Sequence, residues 1–196
     1  MPIALPNVGL ATLNGVRIER FGFSLQTPWK VVDHERDFKG LSVFAFKGGG
    51  SIMISDPSRS LDTLKLMRTD ARMAQILGQE AVRSNYALTA AGMAATPGQV
   101  KWWGTPHGNA RSMALLGIKM TATHELGTVY TVQSGELRGF QEGSPSVPPY
   151  RVQLDLFDGA DHHYEITIAD ADGTSPVLSQ AQLNAMVASL KPIPHN

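Results

Sequence analysis

Arg151-Val152-Gln153-Leu154-Asp155-Leu156-Phe157 and His162-His163-Tyr164-Glu165-Ile166-Thr167-Ile168 decide how this chain is read. In both stretches apolar residues recur at every second position, the period of a strand whose successive side chains point to opposite faces. Asp158 to Asp161 supply the turn between them, so the pair is an antiparallel hairpin. Tyr164, Ile166 and Ile168 share one face, with Val152, Leu154 and Leu156 as partners across the ladder. After the hairpin Ser179 stands where a helix N-cap belongs. Leu183, Met186, Val187 and Leu190 then form one apolar stripe before Pro192. The end of the chain therefore reads as sheet plus covering helix.

The same logic extends toward the N-terminus. Residues 1–15 have two prolines and no periodicity, and read as an irregular arm. Phe21 to Leu25 and Lys30 to His34 are short strands or strand edges, separated by Pro28-Trp29. Leu41 to Phe46 and Ser51 to Ile54 flank Gly48-Gly49-Gly50, whose freedom at positive φ suits a hairpin tip. Beyond Ser60, read as an N-cap, Leu61, Leu64, Met67, Ala71, Ala74 and Leu77 recur at spacings of three and four, which predicts one long helix. Gln79 to Ala95 is Ala-rich and continues as a second helix until Thr96-Pro97-Gly98. Ala110 to Ala122 and Thr128 to Gln133 are read as strands. The expectation is an α+β domain spanning 1–196: a single antiparallel sheet, one long central helix region and a C-terminal helix packed on the sheet.

Composition narrows the classes of function. A chain of 196 residues with 42% apolar and 17% charged residues can build one ordinary folded domain. Seventeen basic residues balance 17 acidic ones, so no field gathers phosphate backbones, and nucleic acid is not an expected partner. With no cysteine, disulfides, thiolate metal sites and thiol nucleophiles are excluded. No apolar run approaches the roughly 20 residues of a membrane-spanning helix. Met1 to Pro6 lacks the basic start of a signal peptide, while low charge and absent thiols suit an exported protein. A periplasmic or secreted location is expected ahead of a cytoplasmic one.

No motif for nucleophilic or zincin-type chemistry is present, neither G-x-S-x-G, S-x-x-K nor H-E-x-x-H. Asp158, Asp161, His162, His163 and Glu165 crowd potential ligands into eight positions. On a strand, however, His162 points with Tyr164 toward the packed face and His163 with Glu165 away from it, so the stretch is expected to be a polar turn. His163 with Glu165 stays as a weak metal pair. Asp170-Ala171-Asp172-Gly173 lacks the later ligands of a calcium loop and is also read as a turn. Trp102, Trp103 and His107 lie in a Gly- and Pro-containing loop, where two adjacent indoles cannot both face one core. They are the candidate contacts for a partner surface, the other reading being one indole in the core and the second lying along a neighbouring strand. Met53, Met67, Met73, Met113 and Met120 are read as core fillers, with an adaptable pocket between helix and sheet as the other use of flexible thioethers.

Phe23-Ser24-Leu25 with Pro28-Trp29, the strand Tyr164-Glu165-Ile166-Thr167-Ile168 and the closing Ser189-Leu190-Lys191-Pro192 together resemble the Mog1/PsbP-like group, which includes DcrB-like proteins. The resemblance implies an α/β/α sandwich and an accessory binding role, and it carries no functional residue over to this chain. The expected function is therefore a non-catalytic accessory or binding protein, such as an assembly factor, a chaperone-like protein or an exported lipoprotein-type domain. A protein partner is expected and no cofactor; oligomeric state is left open. The alternative is a small hydrolase or metal-dependent enzyme using His163, Glu165 and His107.

Overall fold

The computed structural model describes residues 2–96, 99 and 128–193. Its strands are β1 (Ile3–Ala4), β2 (Arg17–Arg20), β3 (Phe23–Gln26), β4 (Val32–Phe38), β5 (Leu41–Phe46), β6 (Gly50–Ser55), β7 (Val129–Ser134), β8 (Leu137–Gly143), β9 (Arg151–Phe157), β10 (His163–Asp170) and β11 (Lys191–Pro192). The α-helices among the described residues are α1 (Pro57–Arg68), α2 (Ala71–Leu77), α3 (Asn85–Ala94) and α4 (Gln180–Ser189), with a 3-10 turn at Gln79–Val82.

The strands form two sheets. Eight run in the order β1-β7-β8-β9-β10-β6-β5-β4, and three in the order β11-β3-β2. Neighbours in the large sheet are antiparallel except β1, which pairs parallel to β7 through Ile3 and Ala4. This overturns the expected single antiparallel sheet with a long central helix, and with it the α/β/α sandwich. The sheet is mixed because the N-terminal arm returns alongside β7. A second sheet exists because Lys191 and Pro192 come back to pair with Ser24 and Phe23.

The long helix is absent for a local reason. The apolar spacing runs on from Met67 to Ala71, but α1 ends at Arg68 and α2 begins at Ala71. Asp70 adopts extended backbone, and its carboxylate accepts from the Arg72 amide at 3.0 Å, so it caps a new helix rather than continuing the old one. The start of α1 also lies earlier than Ser60: Asp56 is its N-cap and Pro57 its first residue.

Within the large sheet the hairpin register matches the sequence reading. Tyr164 lies opposite Leu156, Ile166 opposite Leu154 and Ile168 opposite Val152. These side chains join Ile52 and Ile54 of β6 in the main core, which is closed from above by Phe23 and Leu25 of the small sheet and by Leu183, Met186 and Val187 of α4. Each such burial stabilises by roughly 1.5–3 kcal/mol before the cost of ordering the chain. Trp29 stacks on Phe46 with ring centroids 3.9 Å apart and completes one end of this layer.

Among the described residues, helices pack on one part of the opposite face. Leu64, Met67, Met73, Leu88 and Met93 from the helices pack on Val129, Phe140 and Phe157. A polar clamp fixes this layer to the β9–β10 turn. The Asp161 carboxylate accepts from the Asn85 amide at 2.8 Å and from the Arg68 guanidinium, while Asn85 Nδ2 donates to the Asp161 carbonyl at 2.8 Å. Asp161 holds φ at +67°, a conformation Asp tolerates better than most residues. The outer strand β4 is exposed almost throughout and carries Asp33, His34, Glu35, Arg36 and Asp37, with a bulge between His34 and Arg36.

Candidate functional site

Strand alternation arranges the helix-side face of the large sheet into rows. One row runs Val43, Met53, Thr167, Gln153, Glu142, Val129 across six strands, each residue paired directly with the next. The adjacent row contains Glu165, Asp155, Phe140 and Thr131, and the one after it His163, Phe157, Arg138 and Gln133. Helices cover the end bearing Phe140 and Phe157. The other end is an open groove of about 440 Å³ lined by Leu41, Met53, Ser55, Arg151, Gln153, Glu165 and Thr167.

Polar groups run from this groove into the covered part of the face. Gln153 Nε2 lies 3.4 Å from Asp155 Oδ2, and His163 Nε2 lies 2.7 Å from Asp155 Oδ1. Asp155 and His163 are both buried, and the imidazole stacks on Phe157 with centroids 4.7 Å apart. His163 Nδ1 is buried and has no hydrogen-bond partner. Glu142 is 1% exposed, and neither of its carboxyl oxygens has a hydrogen-bond partner. Burial, seconded by the nearby charge of Asp155, pushes the Glu142 carboxyl up to about 8. The Nε of Arg151, at the groove, is likewise buried and unpartnered. A buried polar group left without a partner is uncommon enough to require a reason, and here three occur on one face.

The β9–β10 turn is a separate, self-satisfied cluster. Asp158 accepts from the amides of Ala160 and His162, each at 2.9 Å, and from the Tyr164 hydroxyl at 2.9 Å, and its carboxylate lies 2.8 Å from His162 Nδ1. Burial alone would raise the Asp158 carboxyl, but the bonds from His162 and Tyr164 outweigh it and hold it below the ordinary range. Burial, followed by the bond to Asp158, raises the Tyr164 phenol.

His163 and Glu165 do share a face, as their alternation requires, but they play different parts. His163 is turned under the helices onto Asp155 and Phe157, whereas Glu165 lines the groove. No group of three potential metal ligands occurs among the described residues. His162, expected on the packed face, is exposed and precedes β10. Met67 and Met73 are core residues and Met53 lines the groove. Trp102, Trp103, His107, Met113, Met120 and the strand expected over 110–122 lie outside the described residues. Asp170 and Asp172 accept from the amide of Thr174 and so close a turn.

Glu142, Asp155, Gln153 and Arg151 were not singled out in the sequence. The signal was present in β9, where Arg151, Gln153, Asp155 and Phe157 alternate with three apolar residues and so stand together on the other face. Strand β8 hid its share, because Gly139 reads as a breaker. In the structure a Cβ on Gly139 would come within 2.0 Å of the Asp155 carbonyl oxygen, so the close approach of β9 demands glycine there.

The groove sits on strands and is therefore rigid, and it offers donors, acceptors and an apolar wall. Among the described residues, no serine or threonine hydroxyl is hydrogen-bonded to a histidine. No helix among them is long and apolar enough to cross a membrane. Compared with family models, curated proteins and solved structures, the chain shows no match.

Proposed function

We propose that this chain is a non-catalytic binding module whose contact surface is the open groove on the helix-side face of the large sheet. The observation that supports this reading is a concave surface of about 440 Å³ carried on β5, β6, β9 and β10, with Met53 and Leu41 beside Arg151, Gln153, Glu165 and Thr167. Such a mixture of a few fixed polar groups with an apolar wall is characteristic of recognition sites. Among the described residues, the histidine on this face, His163, is held by Asp155 and stacked on Phe157, which suits a structural part more than proton transfer to a bound substrate.

A photo-reactive side chain installed at Met53 tests the reading. Cross-links to a partner chain are expected from Met53 and not from Lys47, which is exposed on the β5–β6 hairpin. Thr167→Trp, which fills the groove, should abolish them while circular dichroism and the melting temperature stay near wild type. Equal labelling from both positions would sink the assignment.

A further inference from the structure

We propose that β7 accepts a further strand on its outer edge: an extended, uncharged segment of a partner protein that enters between β7 and the N-terminal arm. The site is distinct from the groove, from which β8 separates it. The Gly143 amide donates to the Thr128 carbonyl directly across the β7–β8 pairing, which marks a bonded position of the ladder. Bonded and non-bonded positions alternate in an antiparallel pair. Tyr130, Val132 and Ser134 therefore turn their backbone groups toward β8, while Val129, Thr131 and Gln133 turn theirs outward. On that outer edge β1 meets Tyr130 and Thr131 and goes no further. Among the described residues, Gln133 is left with no ladder partner on its outward side.

The arm does not close this gap. The ring of Pro6 holds φ near about −65°, away from the roughly −120° of a parallel strand. Asn7 Oδ1 then accepts from the Gly9 amide at 3.3 Å and Gly9 takes a φ of +75°, so the chain turns off the sheet. It is held next on α4, where Asn184 Nδ2 donates to the Gly9 carbonyl at 3.3 Å and the Ala11 amide to the Ala181 carbonyl at 3.1 Å. Pinned at both ends, the arm arches over a cavity of about 380 Å³ walled by Thr131 to Ser134, Asn184 and Val187. Val132 and Val187 reach it from the main core, and Val8 and Leu10 of the arm are exposed. None of the described residues lining it is charged, and its polar side chains include the amides of Asn7, Gln133 and Asn184. A charged segment would lose hydration there without gaining a counter-charge. A neutral extended one pairs its backbone with Gln133 and lays an apolar side chain on Val132 and Val187. At the far edge of the sheet, the bulge and charges of β4 refuse such a strand.

The probe is an acetylated and amidated pentapeptide alternating threonine and valine, titrated into isotopically labelled protein. Its controls are the same peptide fully N-methylated, the same peptide with glutamate for valine, and maltose as a neutral ligand rich in hydroxyls. A saturable shift of the Gln133 amide, with its hydrogen exchange slowed roughly tenfold or more, is expected from the first and from none of the controls. Gln133→Ala keeps the backbone and should bind within about twofold of wild type. Asn184→Phe fills the cavity from α4 and should weaken binding by roughly tenfold or more with the melting temperature near wild type. Gln133→Pro, which removes the outward donor, should do the same. No saturable shift, an equal response to the methylated peptide or to maltose, tighter binding of the glutamate peptide, or full affinity in Asn184→Phe would each overturn the proposal. So would protection of Gln133 that grows with protein concentration in the absence of peptide, because a second copy of this chain would then hold the edge.

Discussion

The two faces of the eight-stranded sheet are made by the same strands and the same alternation, yet they are built to different rules. On one, Val152, Leu154 and Leu156 meet Tyr164, Ile166 and Ile168 with a second sheet and α4 over them, and the side chains are apolar and fully covered. On the other, Gln153 and Asp155 meet Thr167 and Glu165, the described helices pack on Val129, Phe140 and Phe157, and buried polar atoms are left without partners. Stability is concentrated on the first face, so the second is free to carry groups that a core would not tolerate.

Substitutions on the two faces should separate sharply. Leu154→Ala removes a side chain that is 1% exposed and is expected to cost about 2–5 kcal/mol in urea unfolding, whereas Gln153→Ala, one residue away, should stay within about 1 kcal/mol. Similar losses at both positions would erase the distinction.

The next largest effect is expected from Glu142. Its folded-state carboxyl titrates near 8 and its unfolded-state carboxyl in the ordinary range near 4.5, so the folded chain holds the extra proton between those values. Its contribution to stability is fully present below the unfolded value and is lost as pH rises through about 8, at roughly 1.4 kcal/mol per pH unit across the window. Glu142→Gln should flatten that slope and be the more stable protein at pH 8.5. A wild-type stability that is level from pH 5 to 8, with the same profile in the variant, would contradict the burial described.

Asp161→Ala should cost about 1–3 kcal/mol, because it strands the Asn85 amide and half-buried Arg68. Hydrogen exchange should then quicken in α3 and leave the β9–β10 ladder protected, which shows that the helices cover the second face as a detachable layer. Smallest is the cap of α4. The Ser179 hydroxyl accepts from the Gln182 amide in a capping box, and Ser179→Ala should lower stability by about 1 kcal/mol in thermal melts.

The apolar face was legible in the sequence because its information is local. The hairpin of β9 and β10, its register, the glycine tip between β5 and β6 and the cap at Ser179 all follow from neighbours within a few residues. The second sheet was not legible, since it needs Lys191 to find Ser24 across most of the chain. The break at Asp70 was masked because Leu64, Met67, Ala71, Ala74 and Leu77 keep helical spacing through it, and capping overrode periodicity there. Strand β4 lacks apolar alternation because it is an edge with solvent on both faces. As for the candidate site, alternation in β9 already grouped Arg151, Gln153 and Asp155. That Glu142 would join them depended on a glycine-containing strand whose pairing only the fold reveals.

The charged outer strand has a consequence for how copies of this protein coexist. With equal numbers of acidic and basic residues, the molecule has no net repulsion to keep neighbours apart in concentrated solution. An eight-stranded sheet ending in a flat, greasy margin would then grow by stacking chain on chain. The kinked margin of Asp33 to Asp37 denies a newcomer both a straight template and an uncharged seat, so the β4 edge of the sheet resists the addition of another chain.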